Sequence, residues 1–373
     1  MKKLIVLSLS FGAILLSGCS REDLMRLEVG SPIVFTANTV YYSGTATRTE
    51  YSGQDENGNP VGASSAWERI DWVDSDLIRI WCDQEVAGSN NHFSDYKVTS
   101  HTIDNDDKKQ SIATIEKTGA NGFSWSNTNE HTFYALYPSP ATTNVDPAKV
   151  KLEGNAISAS IPAAQTVALK TGTTNFYKPD MNSAFMWAAQ QASAGTKVNL
   201  GFKPLMTAFE FQFENDADTD MTFKSLKMSS SDAKLAGDFT ATIGTDMETL
   251  TFGTLTNASN DVTVNFSSLT LASHAKLTVT LFALPQAIPD LTISVTINKD
   301  GADSTKSLAL KQDKGSGMEF IPFTACKKYR ITNLKVKDPD PVIIWPVTYD
   351  ILTVGQEVDH VYEGSAITPT WTY

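Results

Sequence analysis

The sequence is poor in the residues on which most enzymes and metal sites depend. It holds only 3 cysteines and 5 histidines in 373 residues, and no two histidines have the spacing of a paired metal-ligand motif. It also lacks a G-x-S-x-G nucleophile turn and a phosphate-binding glycine loop. A glycosidase carboxylate pair has no comparable sequence signature, so the sequence does not test for this class of enzyme. We therefore predict no enzyme, no cofactor, and no catalytic or metal site.

Clusters of basic residues are lacking as well. The chain has 30 Lys and Arg against 42 Asp and Glu, for a net charge of −12. Nucleic-acid binding needs Lys and Arg grouped along one face, so we predict no nucleic-acid partner. An acidic surface also disfavours adsorption to anionic lipid headgroups. Charged residues are 19% and apolar residues 41% of the chain, which indicates a folded protein.

One apolar run stands at the N-terminus, and it is short. Residues 4–16 follow a basic start, and a bilayer span would need about 20 residues, so this run is typical of a signal peptide. The next residues, Leu16-Ser-Gly-Cys19, resemble the lipobox of bacterial lipoproteins, in which cleavage leaves an acylated cysteine. We predict a signal peptide over residues 1–18 and lipid, such as palmitate, on Cys19. An ordinary signal-peptidase site is the alternative.

The other two cysteines are Cys82 and Cys326. Export to an oxidising compartment would permit a disulfide between them. They fall in different predicted domains, however, so a bridge would have to cross from one domain to the other. We favour two buried thiols that act as small apolar residues.

No segment shows a sustained helical period, and apolar residues alternate instead. Phe209, Phe211 and Phe213 alternate with Glu210, Gln212 and Glu214, which predicts a strand with one buried and one solvated face. Similar short runs between turn residues predict an all-β fold of one or two sandwiches. The small, polar residues 190–196 predict a boundary near Thr196, giving domains over 49–196 and 197–336. Residues 180–189 are the best candidate for a short helix or buried connection.

The first strand has an unusual context. Residues 33–42 are rich in β-branched and aromatic side chains, including Ile33, Phe35 and Tyr41, and lead into a small, polar tether that ends at Arg48. A basic residue on such a tether is an easy target for a trypsin-like protease. We therefore predict that residues 19–48 form a propeptide with a removable strand, which is cut between Arg48 and Thr49.

Residues 337–373 form a C-terminal extension. Pro339 and Pro341 each fix φ and remove a backbone donor, so they predict a stiff spacer. Five large apolar residues then occupy alternate positions: Ile343, Trp345, Val347, Tyr349 and Ile351. Such a strand either completes the sheet of its own chain or is donated to another molecule by β-strand addition. We predict donation, to a slot of the kind that the first strand occupies.

Several short segments in this order resemble the fimbrillin family, the subunits of the type V pili of Gram-negative anaerobes. Besides the lipobox, these segments are residues 33–37, 47–49, 76–80, 134–138, 161–165, 202–209 and 325–334. The resemblance implies two transthyretin-like β-sandwich domains in tandem, with the C-terminal extension supplying the donor strand.

The resemblance also implies a site and partners. An acylated Cys19 would hold the protein to outer-membrane lipid at the cell surface. An arginine-specific protease would cut after the first strand, and Arg48 matches that position by context. The donor strand of one subunit would then fill the vacated groove of the next. The partners implied are other pilin subunits in a homo- or heteropolymer, and a host or bacterial surface ligand that the sequence does not name.

Two alternatives remain at this point. One is a fimbrillin-like lipoprotein that does not polymerise and serves as an anchor or adhesin. The other is a glycan-binding surface lipoprotein with a tryptophan platform, although tryptophans in β-sandwiches more often belong to the core. The candidate residues are Trp67, Trp72, Trp81, Trp125 and Trp187.

Overall fold

The computed structural model describes residues 29–39, 50–51, 70–104, 110–170, 173–299, 301–311, 323, 325–336 and 349–352. Regular structure in these ranges is β-strand apart from one 3-10 turn, Met181–Ser183. The predicted all-β fold is therefore confirmed. Across the same residues, no helix has both the length and the apolar character that a membrane crossing requires.

The strands are numbered in chain order. The first twelve are β1 Phe35–Thr39, β2 Glu50–Tyr51, β3 Ile70–Asp71, β4 Leu77–Cys82, β5 Phe93–Asp104, β6 Gln110–Lys117, β7 Glu130–Tyr137, β8 Lys151–Glu153, β9 Ala156–Ile161, β10 Ala164–Gln165, β11 Val167–Leu169 and β12 Phe176–Pro179. The others are β13 Met186–Ser193, β14 Val198–Pro204, β15 Thr207–Asn215, β16 Met221–Ser229, β17 Ala236–Ile243, β18 Leu250–Ser259, β19 Asp261–Leu271, β20 Lys276–Ala283, β21 Asp290–Lys299, β22 Ala302–Lys311, β23 Lys328–Val336 and β24 Tyr349–Leu352.

Seven strands form a closed barrel in the order β1, β14, β13, β7, β4, β5, β6. Neighbouring strands are antiparallel, except that β1 runs parallel to β14. The barrel interior is filled by alternate side chains of these strands. It includes Ile80, Phe133, Ala135, Leu200 and Phe202, all fully buried.

The C-terminal half is built mainly from two sheets. One has the order β10-β19-β16-β21-β22, and the other has the order β11-β12-β20-β15-β23-β24. Their inner faces meet where the ring of Phe213 lies 6.2 Å from that of Phe223 and the ring of Tyr177 lies 5.8 Å from that of Phe266. A further sheet has the order β18-β17-β9-β8. The arrangement is that of a β-sandwich, in which side chains from two facing sheets form the core.

Sheet membership does not follow the boundary predicted near Thr196. Strand β14 lies beyond that position and belongs to the barrel, whereas β9, β10 and β12 precede it and pair with the C-terminal strands β17, β19 and β20. The small, polar segment is the end of β13 and the turn that follows it before β14, where Gly195 has φ +91°. Small, polar residues mark tight turns as well as linkers, so a domain boundary near Thr196 stays a prediction.

In place of the expected short helix or buried connection, residues 180–189 form a short 3-10 turn and the start of a strand. Asp180 caps the 3-10 turn Met181–Ser183 by accepting a hydrogen bond from the Asn182 N–H at 3.1 Å. The chain then enters β13 at Met186 and pairs with β7. The apolar residues that favoured a helix here are buried because they form a barrel strand.

The alternation of Phe209, Phe211 and Phe213 is confirmed as a buried face of β15. The opposite face is not uniformly solvated as predicted, because Glu210 is only 2% exposed. Its carboxylate is compensated by two cations of the adjacent strand β23, described below.

Candidate functional site

The first strand closes the barrel between β6 and β14. It pairs in parallel with β14, with Phe35 opposite Val198. On its other side it pairs antiparallel with β6, with Ala37 opposite Ala113. Among the described strands, only β1 lies between β6 and β14. The continuity of the barrel therefore depends on this one strand.

Backbone pairing continues ahead of β1. The Gly30 N–H donates to the Trp125 carbonyl at 2.7 Å, and the Trp125 N–H donates to the Ser31 carbonyl at 3.0 Å. The Ile33 N–H donates to the Phe123 carbonyl at 2.9 Å. The first strand is thus bound to the barrel from residue 30 to residue 39.

Alternate side chains of the first strand enter the core. Ile33, Phe35 and Ala37 are buried, whereas the intervening Val34 is 47% exposed. This period of two follows from the pleat of a β-strand, in which successive side chains point to opposite faces. Ile33 and Phe35, two of the residues named in the predicted removable strand, both lie on the buried face.

Phe35 occupies an aromatic pocket in the barrel. Its ring lies edge-on to Tyr96 at a centroid distance of 5.0 Å and to Phe123 at 6.3 Å. The Phe123 N–H donates to the Tyr96 hydroxyl at 3.1 Å, which fixes the position of that ring. Burial of Tyr96 raises the pKa of its hydroxyl to about 12. Edge-to-face rings add about 0.5–1.5 kcal/mol per pair beyond the burial of their surface.

Two polar contacts fix the register of the first strand, and sequence analysis missed both partners. The Thr36 hydroxyl donates to Asn199 Oδ1 at 3.0 Å. The Ser111 N–H donates to the Thr39 hydroxyl at 3.1 Å, and that hydroxyl lies 3.4 Å from the Ser111 carbonyl. Asn199 and Ser111 belong to the two flanking strands and are remote in sequence, so no local signal marks them.

Part of the predicted donor segment pairs with its own chain. Strand β24, Tyr349–Leu352, lies antiparallel to β23 at the edge of the six-stranded sheet. In this register Tyr349 is opposite Ile331, and Asp350 is opposite Arg330. The described part of the extension, Tyr349–Leu352, therefore lies on the sheet of its own chain, the alternative considered beside donation.

A buried ion cluster lies on β15 and β23, beside β24. Lys328 Nζ lies 2.6 Å from Glu210 Oε2, and Arg330 Nε lies 2.7 Å from Glu210 Oε1. All three side chains are buried. Burial alone would raise the pKa of Glu210, but Arg330 and Lys328 outweigh this effect and lower it to about 2. Glu210 is therefore ionised over the whole physiological range.

Cys82 and Cys326 are both free thiols, but only Cys82 is buried as predicted and Cys326 is partly exposed. Cys82 is fully buried at the end of β4. Its burial raises the pKa of the thiol far above the ordinary value, because a thiolate there would lose its hydration.

The tryptophans do not form an exposed platform among the described residues. Trp72 and Trp125 are fully buried, and Trp187 is 2% exposed. Trp81 is partly buried and stacks on His92 at a centroid distance of 5.6 Å. These positions confirm the core role that β-sandwich tryptophans usually have. Trp67 lies outside the described residues.

Several predicted site residues also fall outside the described ranges. They are Cys19, Tyr41, Arg48, Thr49, Ile343, Trp345 and Val347. For these positions lipidation, cleavage and donation remain predictions.

Comparisons with solved structures find proteins of low sequence identity. A candidate cell adhesion protein from Bacteroides ovatus is 14% identical and covers 89% of this chain and 100% of its own, with a TM-score of 0.45. A fimbrial assembly protein from Parabacteroides distasonis is 8% identical and covers 87% of this chain and 100% of its own, with a TM-score of 0.36. The tip fimbrial protein Mfa3 from Porphyromonas gingivalis is 6% identical and covers 86% of this chain and 98% of its own, with a TM-score of 0.28.

A search of curated proteins finds no match. A family model described as fimbrillin-like matches residues 64–348, which is most of the chain. This match confirms the resemblance found in the sequence, and the chain belongs to the fimbrillin-like family.

Proposed function

We propose that this protein is a structural subunit of a cell-surface fimbria that supports adhesion. It would be exported as an outer-membrane lipoprotein through acylated Cys19, cut after Arg48 and polymerised by strand exchange. In this proposal the barrel and the sandwich are the two transthyretin-like domains of the subunit. Membership in the fimbrillin-like family supports the general role.

The observation that carries the strand-exchange proposal is the position of β1 between β6 and β14. Loss of this strand would leave two backbone edges facing each other across an apolar slot. The side chains that now pack against Ile33, Phe35 and Ala37 would line this slot. Burying a large apolar side chain contributes about 1.5–3 kcal/mol, so an incoming strand with apolar residues at alternate positions would recover much of this stability.

The proposed occupant is the extension of a second copy or of a related subunit. Ile343, Trp345 and Val347 alternate in the same way as the core-facing residues of β1. In the isolated chain, Tyr349–Leu352 pairs with β23. Donation of the whole segment would therefore require this short edge pairing to open. Opening a four-residue edge strand costs little free energy.

Cleavage and assembly are tested together with an arginine-specific protease. The full chain, R48A and the control R26A are incubated with the protease and run on size exclusion and on gels without boiling. We expect the wild type and R26A to be cut after residue 48 and to form a ladder of multimers. R48A should keep its first strand and stay monomeric. A wild-type chain that is cut after Arg48, releases residues 19–48 and stays monomeric would contradict polymerisation.

A second candidate is a fimbrillin-like anchor or adhesin that does not polymerise. The pairing of β24 with β23 favours it, because the described part of the extension already adds a strand to a sheet of its own chain. This candidate predicts that the protease-treated wild type and R48A give the same monomeric elution volume.

A further inference from the structure

Three potential metal ligands converge at one end of the barrel. Cys82 is the last residue of β4, Asp83 follows it, and His131 belongs to the adjacent strand β7. One ligand atom from each of these three residues lies within 4.8 Å of the other two. None of them takes part in the strand exchange proposed above.

The contacts within this cluster all point to one carboxylate oxygen. The Cys82 thiol donates to Asp83 Oδ1 at 3.2 Å, and His131 Nδ1 lies 3.0 Å from the same oxygen. Because an ionised carboxylate only accepts, His131 must carry its proton on Nδ1 to make this bond. Two hydrogen bonds to Asp83 Oδ1 thus bring together the three atoms that a metal ion would bind.

We infer that Cys82, Asp83 and His131 form a binding site for a divalent transition-metal ion of the zinc type. A thiolate, an imidazole and a carboxylate are the ligands that Zn²⁺ takes in proteins, at about 2.0–2.3 Å. Ligand atoms around one such ion lie about 3–4 Å from each other, and the observed separations of 3.2 Å and 3.0 Å fit this spacing.

The charges balance at this site. On binding, the Cys82 thiol releases its proton to solvent, and the His131 proton moves from Nδ1 to Nε2. One thiolate and one carboxylate then neutralise the dication, which suits a site where Cys82 is fully buried and the His131 side chain is 7% exposed. Asp83 is 48% exposed, so the ion and a water ligand reach the cluster from its side.

The surrounding residues support the imidazole. The Ser126 hydroxyl lies 3.5 Å from His131 Nε2 and would accept its proton once Nδ1 binds the ion. Gln84 holds this loop, since its Oε1 accepts from the Ser126 N–H at 3.2 Å and its Nε2 donates to the Ser124 carbonyl at 2.7 Å. The ligands are therefore placed by strands and by a fixed loop.

A second group of potential ligands is a poorer candidate. Glu214, Asp216 and His274 also lie within reach of one another. However, Lys335 Nζ already lies 3.0 Å from Asp216 and 3.4 Å from Glu214. The two carboxylates are therefore already paired with a lysine ammonium group. This group also lacks sulfur, which allows the two sites to be told apart.

Titration of the full chain with Co²⁺, followed by absorbance, tests the inference. Wild type should bind one ion with a thiolate-to-Co²⁺ charge-transfer band, and Zn²⁺ should remove that band. D83N changes a half-exposed side chain and should weaken binding at least about tenfold, the smaller end of the usual effect of changes around a metal. C82S should abolish the band. The controls C326S and H274A should retain it.

Two results would overturn the inference. One is a wild-type chain that shows no thiolate band at any Co²⁺ concentration at which it stays soluble. The other is a band of unchanged affinity in D83N. Circular dichroism of each variant checks that the fold is kept, and the D83N result decides the matter if C82S does not fold.

Discussion

Phe35 and Phe133 pack edge to face, with ring centroids 5.4 Å apart and 79° between the ring planes. Phe35 lies on β1 and Phe133 on β7, and these strands are not neighbours in the barrel. The contact therefore spans the barrel interior. The first strand is held by its backbone pairing in the barrel wall and by its ring in the core, so a donor strand that takes its place must replace both kinds of contact.

The role of Phe35 in barrel stability can be measured by truncation. F35A should lower the free energy of unfolding of the barrel by about 3–5 kcal/mol, because it removes a fully buried ring and leaves a cavity. V34A changes the adjacent, half-exposed residue and should cost less than about 0.5 kcal/mol. Denaturant unfolding of the full chain measures both. Equal losses would show that the strand is not anchored through its core face.

Removal of the first strand should expose the strands on either side of it. After cleavage and release of residues 19–48, backbone amides of β6 and β14 should exchange with deuterium at least about tenfold faster. Amides shared by β7 and β13, on the far side of the barrel, should keep their protection. Exchange is followed by mass spectrometry of peptides, with uncut R48A as the reference. Equal exchange in β6 and β14 before and after release would contradict this prediction.

The face of the donor segment that enters a groove can be found by placing charges on it. W345D and V347D should block multimer formation after cleavage, because a carboxylate cannot be buried in an apolar slot. T348D places the same charge on the opposite face and should leave the multimer ladder intact. Gels without boiling measure the outcome. Ladders of equal strength in all three variants would exclude this segment as the donor.

Glu210 makes part of the stability depend on pH. Its pKa falls from 4.5 to about 2 on folding, so its contribution is fully present above pH 4.5 and is lost as the pH falls toward 2. This contribution is on the order of 3 kcal/mol. Unfolding measured across this pH range should show the loss in wild type and a flatter profile in E210Q.

At neutral pH, E210Q should cost about 3–5 kcal/mol, because it removes the buried carboxylate that Lys328 and Arg330 both contact. E214Q is the control on the same strand. Glu214 is partly exposed and lies 3.4 Å from Lys335, so its loss should cost less than about 1 kcal/mol. Similar losses for the two variants would show that the buried cluster stabilises the fold no more than the partly exposed pair does.

The state of the cysteines is tested by alkylation without reductant. Unfolded lipoprotein should take up label at Cys82 and Cys326, since both are free, and none at Cys19 if it is acylated. Folded protein should label Cys82 very slowly, because burial raises the pKa of its thiol and hides it from the reagent. Intact mass counts the labels. An unfolded chain that takes up none would instead reveal a disulfide.

The sequence alone determined the all-β fold class. The alternation of Phe209, Phe211 and Phe213 predicted a strand with one buried face, because the pleat gives side chains a period of two whatever their partners are. The β-branched and aromatic residues from Ile33 predicted the first strand, and the structure has a strand over Phe35–Thr39. Local pattern was sufficient in these cases because each feature depends only on near neighbours in the chain.

Tertiary structure decided which strands meet. The parallel pairing of Phe35 with Val198 joins distant parts of the chain, and no local sequence pattern around either residue predicts it. Glu210 was expected in solvent and is buried, because its counter-charges lie on β23. Cys82 and His131 likewise come together only through the pairing of β4 with β7. Strand order is chosen by the packing of the whole core, so it is decided by long-range contacts that no single segment encodes.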